Sequence, residues 1–331
     1  MTTEFVKERF TFVPDMIGTD IHQAASFLRA EQVVAIPTET VYGLAGNALS
    51  RKAVSTIFAV KNRPHFDPLI IHTHSFSRLS EWVIDVPAPA HDLAKAFLPG
   101  PLTFLLPKKA IIPDLVTAGS PLVAVRIPNH PLTQQLLAQL EFPLAAPSAN
   151  PFGYISPTTA HHVDQQLGDK IPYILDGGPC LVGVESTIIG FPEGHPVVYR
   201  KGGIAIEAIE AVIGPVTVKA HSSSNPQAPG MLKSHYAPRV PLIVGNIAQL
   251  LKEHQGKRIG IMSFQKQYPE IPATKQVVLS STADFREAAQ HLFSGLRYLD
   301  GLDIDLILAE LLPEFDLGRA INDRLRRAAF R

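Results

Sequence analysis

One cysteine, Cys180, stands among 331 residues. That excludes an intrachain disulfide and any Cys-rich zinc site, and it fits a reducing compartment. Neither sign of charge prevails, since 30 Lys and Arg face 30 Asp and Glu. No overall electrostatic footprint therefore points to nucleic acid or to a membrane surface, and any basic groove must be local. No apolar run approaches the roughly 18–20 residues that span a bilayer, so no membrane association is expected. The opening segment MTTEFVKERFTFVPD has acidic residues and lacks the apolar core of a secretory signal, so no signal peptide is expected and the cytoplasm is the expected location. Two phosphate loops are missing as well: neither GxxxxGK[ST] nor GxGxxG follows any strand candidate. A nucleotide bound here must have its phosphates held by side-chain cations and loop amides.

What is present is an ordinary globular composition, 46% hydrophobic and 18% charged, in a chain long enough for one large and one small domain. Thr19 or Asp20 can cap a helix running to Ala30, with Ile21, Ala24, Ala25 and Leu28 on one face. Val33–Ile36 reads as a buried strand that ends at Pro37 and delivers Thr38-Glu39-Thr40-Val41-Tyr42-Gly43 to its carboxyl end, where open α/β sheets bind ligands. Ser50 can cap a helix over 51–61. Strand candidates follow at 68–71, 102–106, 122–127, 144–146, 173–176 and 186–190, with helices at 91–97 and 131–140. A shift to Ser, Asn, Pro and Gly between 214 and 238 reads as a linker. Beyond it, strands at 240–244, 258–262, 276–279 and 305–309 alternate with helices at 247–254, 283–297 and 318–329. The expected organisation is thus an α/β chain with a large domain over 1–213, a linker over 214–238 and a small domain over 239–331.

Several segments carry chemistry. Lys61 and Arg63 flank a proline-fixed turn at a helix end. There they can complement the helix dipole and face water, or hold phosphate oxygens. Arg126 ends an apolar strand, a position that needs a carboxylate or phosphate partner, either structural or ligand. Ser148 and Asn150 in PSANP can be plain turn residues or hydrogen-bonding groups for a phosphate or sugar. Ser156-Pro157-Thr158 can cap a helix. Glu185-Ser186-Thr187 and Tyr199-Arg200-Lys201 stand at the ends of two further strands. His72 and His74 share one strand face but lack a third ligand of fitting spacing. Cys180 has no paired base nearby in sequence and reads as structural.

Taken in order, PTETVYGL (37–44), KNRP (61–64), PLIIH (68–72), VAVRIP (123–128), APSAN (146–150), SPT (156–158), VESTI (184–188) and YRKGG (199–203) resemble the YrdC/YwlC family of threonylcarbamoyl-AMP synthases. APGMLKSHYAPRVPL (228–242) and the near-terminal LPEFDLGRAINDRLRRAA resemble the linker and C-terminal domain of its long, two-domain members. The resemblance implies a YrdC-like twisted open-sheet domain with a central cavity, a small Rossmann-like C-terminal domain, and a linker crossing the cavity mouth. It implies a reaction in which L-threonine, bicarbonate and ATP, with Mg2+ carried by ATP, give threonylcarbamoyl-AMP and pyrophosphate. The product would pass to a tRNA threonylcarbamoyl-transferase complex for t6A modification. By matching motif, Lys61 and Arg63 would hold the triphosphate and act in catalysis, with Ser148, Asn150, Ser156 and Arg200 framing the nucleotide. Thr40, His72, Arg126 and Ser186 would hold L-threonine, while His235 and Tyr236 would close over the nucleotide. No metal ligand is implied among the side chains. The chain departs from the family pattern at Asp67, where many members have Asn, and at Leu232-Lys233-Ser234, where many have Lys-Tyr-Arg.

Two other readings compete. A double-stranded RNA or tRNA-binding protein without turnover, or with weak RNA affinity, would use a cationic concavity, but the chain lacks net charge and a long Lys/Arg run. A hydrogenase-maturation carbamoyl-transfer enzyme would need Cys-rich zinc fingers and a longer chain.

Overall fold

A computed structural model describes residues 16–219 and 235–330. The SSSNPQAPG stretch and Leu232-Lys233-Ser234 lie outside the described residues. Alternating side chains build the large domain around a mixed sheet. Its strands are β1 (Ile17–Gly18), β2 (Val34–Ile36), β3 (Gly43–Asn47), β4 (Ile70–His72), β5 (Leu102–Pro107), β6 (Leu122–Arg126), β7 (Leu144–Ala145), β8 (Ile174–Leu175), β9 (Thr187–Gly190), β10 (Val197–Arg200) and β11 (Thr217–Val218). They run in the order β1-β8-β2-β3-β7-β4-β6-β5-β9-β10-β11. On β2, Val34 and Ile36 pack with Ala24, Ala25 and Leu28 of the first helix, while Ala35 faces the opposite cluster with Val54 and Ile57. Both faces are covered, so the strand reads as a continuous apolar run.

The helix starts follow from their caps. Asp20 accepts from the amides of His22 and Gln23 and starts the helix Ile21–Arg29, and Ser50 accepts from Ala53 N and starts Arg51–Lys61. Asn62 ends the latter in the left-handed region at φ 52°, which asparagine tolerates. Elsewhere the sequence expectation needs correction. The helix Ala160–Leu167 is capped by Thr159, whose side chain accepts from His162 N, and not by the Ser156-Pro157-Thr158 segment. Thr217 and Val218, read as the start of a linker, pair in parallel with Val197 and Val198 at the sheet edge. The strands at 17–18 and 43–47 were not anticipated, because one is two residues long and the other contains two glycines.

Register places the chemistry. β4 and β6 run parallel with His72 opposite Arg126, and antiparallel β5 sets Thr103 opposite the same Arg126. β5 then pairs in parallel with β9, Leu102 opposite Thr187, so Ser186 lies at the same end of the sheet. One residue of slip on β6 would turn Arg126 to the other face.

The small domain carries a parallel sheet of β12 (Leu242–Val244), β13 (Ile259–Ser263), β14 (Gln276–Val278) and β15 (Leu306–Ala309), ordered β12-β15-β13-β14. Its core is not separate from the large domain. Val41, Ile155 and Val184 of the large domain belong to one apolar cluster with Tyr236, Phe293, Leu296 and Leu325. At this seam Gly183 has φ 77°, and a Cβ there would meet Ala289 O and Gln290 Cα, each at 2.4 Å. Gly119, at φ 79°, has nothing within 4 Å of such a Cβ. Gly183→Ala is therefore expected to destabilise the protein by more than Gly119→Ala, which carries only backbone strain of about 1 kcal/mol. Denaturant unfolding of the two variants checks this; equal losses would show that the seam tolerates a methyl group.

Candidate active site

The strand ends surround a cavity of about 50 Å³ lined by Arg63, His72, Arg126, Ser148, Glu185, Arg200, His235 and Tyr236 together with apolar residues such as Val41, Leu69 and Ile70. Seven of the sequence-derived candidates thus meet at one wall. The other five, Thr40, Lys61, Asn150, Ser156 and Ser186, sit behind it and brace it.

Lys61 and Arg63 are buried, so the reading of two solvated cations at a helix end does not hold. Lys61 Nζ donates to Ser148 O at 2.5 Å and also to Asn150 O, which ties the end of its helix to the PSAN turn. Burial and the neighbouring Arg63 push its pKa well below the ordinary value. The Asn150 side chain donates to Pro151 O and Tyr154 O and closes the same turn. Arg63 pairs with Asp67 at 2.9 Å and donates to Asp67 O and Pro68 O. Burial lowers Arg63 and raises Asp67, so desolvation outweighs the attraction within the pair.

Arg126 pairs with Glu39 at 2.8 Å, and Glu39 also accepts from Asn129 N. The partner that a strand-end arginine demands is therefore structural in part. Arg126 Nη2 is the atom paired with Glu39 Oε1, while Nε makes no hydrogen bond among the described residues and is a donor that a carboxylate oxygen could meet. Beside it, burial and then Arg126 depress His72 to about 3, so its imidazole is neutral at physiological pH, and Nδ1 has no hydrogen-bond partner. His74 lies beyond the end of β4. Among the described residues no group of three His, Cys, Asp or Glu side chains could hold a metal. Thr40 is buried in the loop after β2 with its hydroxyl 2.8 Å from that of Thr38. Ser186 Oγ accepts from Arg200 Nη2 at 2.9 Å and shares a hydrogen bond with Thr103 Oγ1 at 2.7 Å. Burial lowers Arg200 to about 10.

Glu185 joins these groups to the small domain. Ser156 Oγ donates to Glu185 Oε1 at 2.6 Å, and Arg324 Nε donates to Glu185 Oε2 at 3.0 Å. Burial alone would raise this carboxyl, yet Arg324 and Arg200 hold it below its ordinary value. Tyr236, in the left-handed region at φ 65°, lies between Arg324 and Arg327, whose guanidinium carbons are 5.3 and 5.1 Å from the ring centroid. His235 packs edge-on against Tyr236 and Phe152. Sequence reasoning missed Glu39, Thr103, Arg324 and Arg327 as parts of this site. The one signal for the arginines was a terminal helix with far more charge than its burial allows. Cys180 is buried and its thiol is pushed up by burial, as its structural reading requires.

Comparison with known proteins gives the site its context. The family described as "Telomere recombination" (Sua5/YciO/YrdC) matches residues 26–202, and the "Threonylcarbamoyl-AMP synthase, C-terminal domain" matches 204–330. The chain belongs to the Sua5/YrdC family. The threonylcarbamoyl-AMP synthase of Pyrococcus abyssi is 42% identical over 93% of this chain and 94% of its own length. The Bacillus subtilis enzyme of the same name is 42% identical over 98% and 97%. The crystal structure of P. abyssi Sua5 complexed with L-threonine superposes with a TM-score of 0.88 at 42% identity, covering 93% of this chain and 94% of that one. This Sua5 family member therefore shares both its domains and their arrangement with a threonine-bound relative.

Two buried histidines and one half-buried one set an acid limit. His72 at about 3, His162 at about 4 and His235 well below the ordinary 6.5 are all depressed, first by burial. Between these values and 6.5 the unfolded chain binds more protons than the folded one, so stability falls as pH falls. Urea unfolding at steps from pH 7 to 5, where most carboxylates stay charged, is expected to show that loss. His162→Gln should flatten part of the slope, and an unchanged slope would mean that His162 is not held neutral by the fold.

Proposed function

We propose that this chain is an L-threonylcarbamoyladenylate synthase. The amine of L-threonine and bicarbonate give a carbamate and water; a carbamate oxygen attacks the α-phosphorus of ATP, and pyrophosphate leaves. The observation that carries this reading is the set of buried cations, Arg63, Arg126 and Arg200, lining one cavity. The 42% identity to synthases over nearly the whole chain supports it.

In this reading Arg126 meets the threonine carboxylate through Nε, while Nη2 stays paired with Glu39. His72, neutral, together with Thr40 and Ser186 shapes the rest of the amino-acid pocket. Arg63 meets the triphosphate and is released from Asp67 as it does so. Lys61 keeps the Ser148–Asn150 turn in place beside the nucleotide and adds positive charge, and Ser148, Asn150, Ser156 and Arg200 frame that side. His235 and Tyr236 cover it. The chemistry calls for positioning two anions and neutralising developing charge, with no strong base. Mg2+ would ride on the ATP phosphates and help neutralise the leaving pyrophosphate. The RNA-binding reading is not favoured. Arg63, Arg126 and Arg200 are buried and turned to an enclosed cavity, where a polynucleotide backbone does not fit. Delivery of the adenylate to a tRNA threonylcarbamoyl-transferase in the cytoplasm completes the proposal. Among the described residues no helix is long and apolar enough to cross a membrane.

Pyrophosphate release from ATP is expected to require both L-threonine and bicarbonate, with L-serine a poorer substrate. No stimulation of the folded protein by threonine would overturn the reading. Arg63→Ala and Arg126→Ala are each expected to lower kcat/KM by about 10²–10³ with the fold intact by circular dichroism; near-normal rates in either variant would remove that residue from the site.

A further inference from the structure

The last helix, Gly318–Ala329, has one buried face made of charge. Ala320, Ile321, Leu325 and Ala328 are buried, and so are Asp323, Arg324 and Arg327. Arg324 is 0% exposed and is the largest fully buried side chain among the described residues. A guanidinium so placed is costly unless its charge and its N–H groups are met. Nε donates to Glu185 Oε2 at 3.0 Å, and Nη1 donates to Lys201 O at 2.8 Å and to Asp323 Oδ2 at 2.9 Å. The plane of the guanidinium also covers Tyr236. The small domain thus reaches through Arg324 into the wall of a cavity formed by the large one.

Adhesion between the domains does not require this contact. The apolar cluster joining Val41, Ile155 and Val184 to Phe293 and Leu296 already spans the seam. What does require it is Glu185. This carboxylate lines the cavity and accepts from Ser156 Oγ. Without Arg324 it would keep the influence of Arg200 but lose its larger counter-charge; the carboxylate would then repel the phosphates of an incoming nucleotide, and in a buried setting such repulsion is weakly screened. Arg324 cancels that charge and fixes the carboxylate, and with it the Ser156 hydroxyl and the Tyr236 ring.

We propose that Arg324 is a positioning residue for the synthase reaction, holding Glu185 neutralised and oriented so that the nucleotide side of the cavity accepts ATP. This rests on the synthase reading given above. The threonine side is built from Arg126 and His72 at the ends of β6 and β4 and from Ser186, whose side chain is held by Arg200 and Thr103; among the described residues none of the three bonds to Arg324, and this side should change little. A role confined to holding the domains together would not distinguish the two substrates.

The test is steady-state kinetics of the full chain, varying ATP and L-threonine separately, because KM does not depend on how much of a variant is recovered folded. Arg324→Met is expected to raise the KM for ATP tenfold or more and to weaken α,β-methylene-ATP in calorimetry by a similar factor, with the KM for L-threonine within twofold of wild type. Arg324→Lys keeps the charge but cannot serve Glu185 and the Lys201 carbonyl together, and should fall between. The double variant Arg324→Met, Glu185→Gln removes the repelling charge while Gln still accepts from Ser156. It should recover most of the ATP affinity. Unchanged ATP constants in Arg324→Met, equal rises for both substrates, or no recovery in the double variant would each overturn the proposal. A wild-type protein without threonine-dependent turnover would instead defeat the synthase reading.

Discussion

Positive charge held away from water is the constraint on which the rest of this molecule depends. Lys61, Arg63, Arg126, Arg200, Arg324 and Arg327 are all buried in or just behind one cavity wall, against Glu39, Asp67, Glu185 and Asp323. Among the described residues, six buried cations thus stand against these four buried carboxylates. Desolvation at this scale is tolerated only where hydrogen bonds meet the N–H groups and a further anion is to come. The carbonyls of Ser148, Asn150, Asp67, Pro68, Ser186 and Lys201 meet much of the first requirement. The second matches the anionic substrates of the family.

The sheet gives these charges their spacing. A mixed order of strands brings parallel β4 and β6 side by side, with β5 antiparallel to one and parallel to β9. Residues 72, 103 and 126 then fall at one level, with Ser186 at the same end of the sheet. Because neighbouring strands lie about 4.8 Å apart, that end has room for a row of short polar side chains beside one arginine. Loops with proline and serine follow several of these strands, and their backbone oxygens, not their side chains, do much of the work of holding the cations.

The elements with strong local signals were legible in the sequence. Ser50 before an amphipathic run, the apolar stretch at 122–126, and the β/α alternation after 239 each translate directly into observed elements. Eight short segments in a fixed order made the family legible too. Burial of Lys61 was not, because a helix end with two cations looks the same whether water or a carbonyl cage receives them. The helix cap at Thr159 was missed since Ser156, Thr158 and Thr159 are equivalent by residue type, and only backbone geometry separates them. Arg324 and Arg327 were invisible as site residues because the contact joins positions 185 and 324, and no local pattern encodes a pairing across so long a stretch of chain.

That long contact has a consequence for how the molecule comes into being. Every other group in the cavity wall leaves the ribosome before the helix that carries Arg324. Until then Glu185 is without its strongest counter-charge and Tyr236 without its two flanking guanidiniums. The last segment to be synthesised is thus also the one that completes the wall around Glu185.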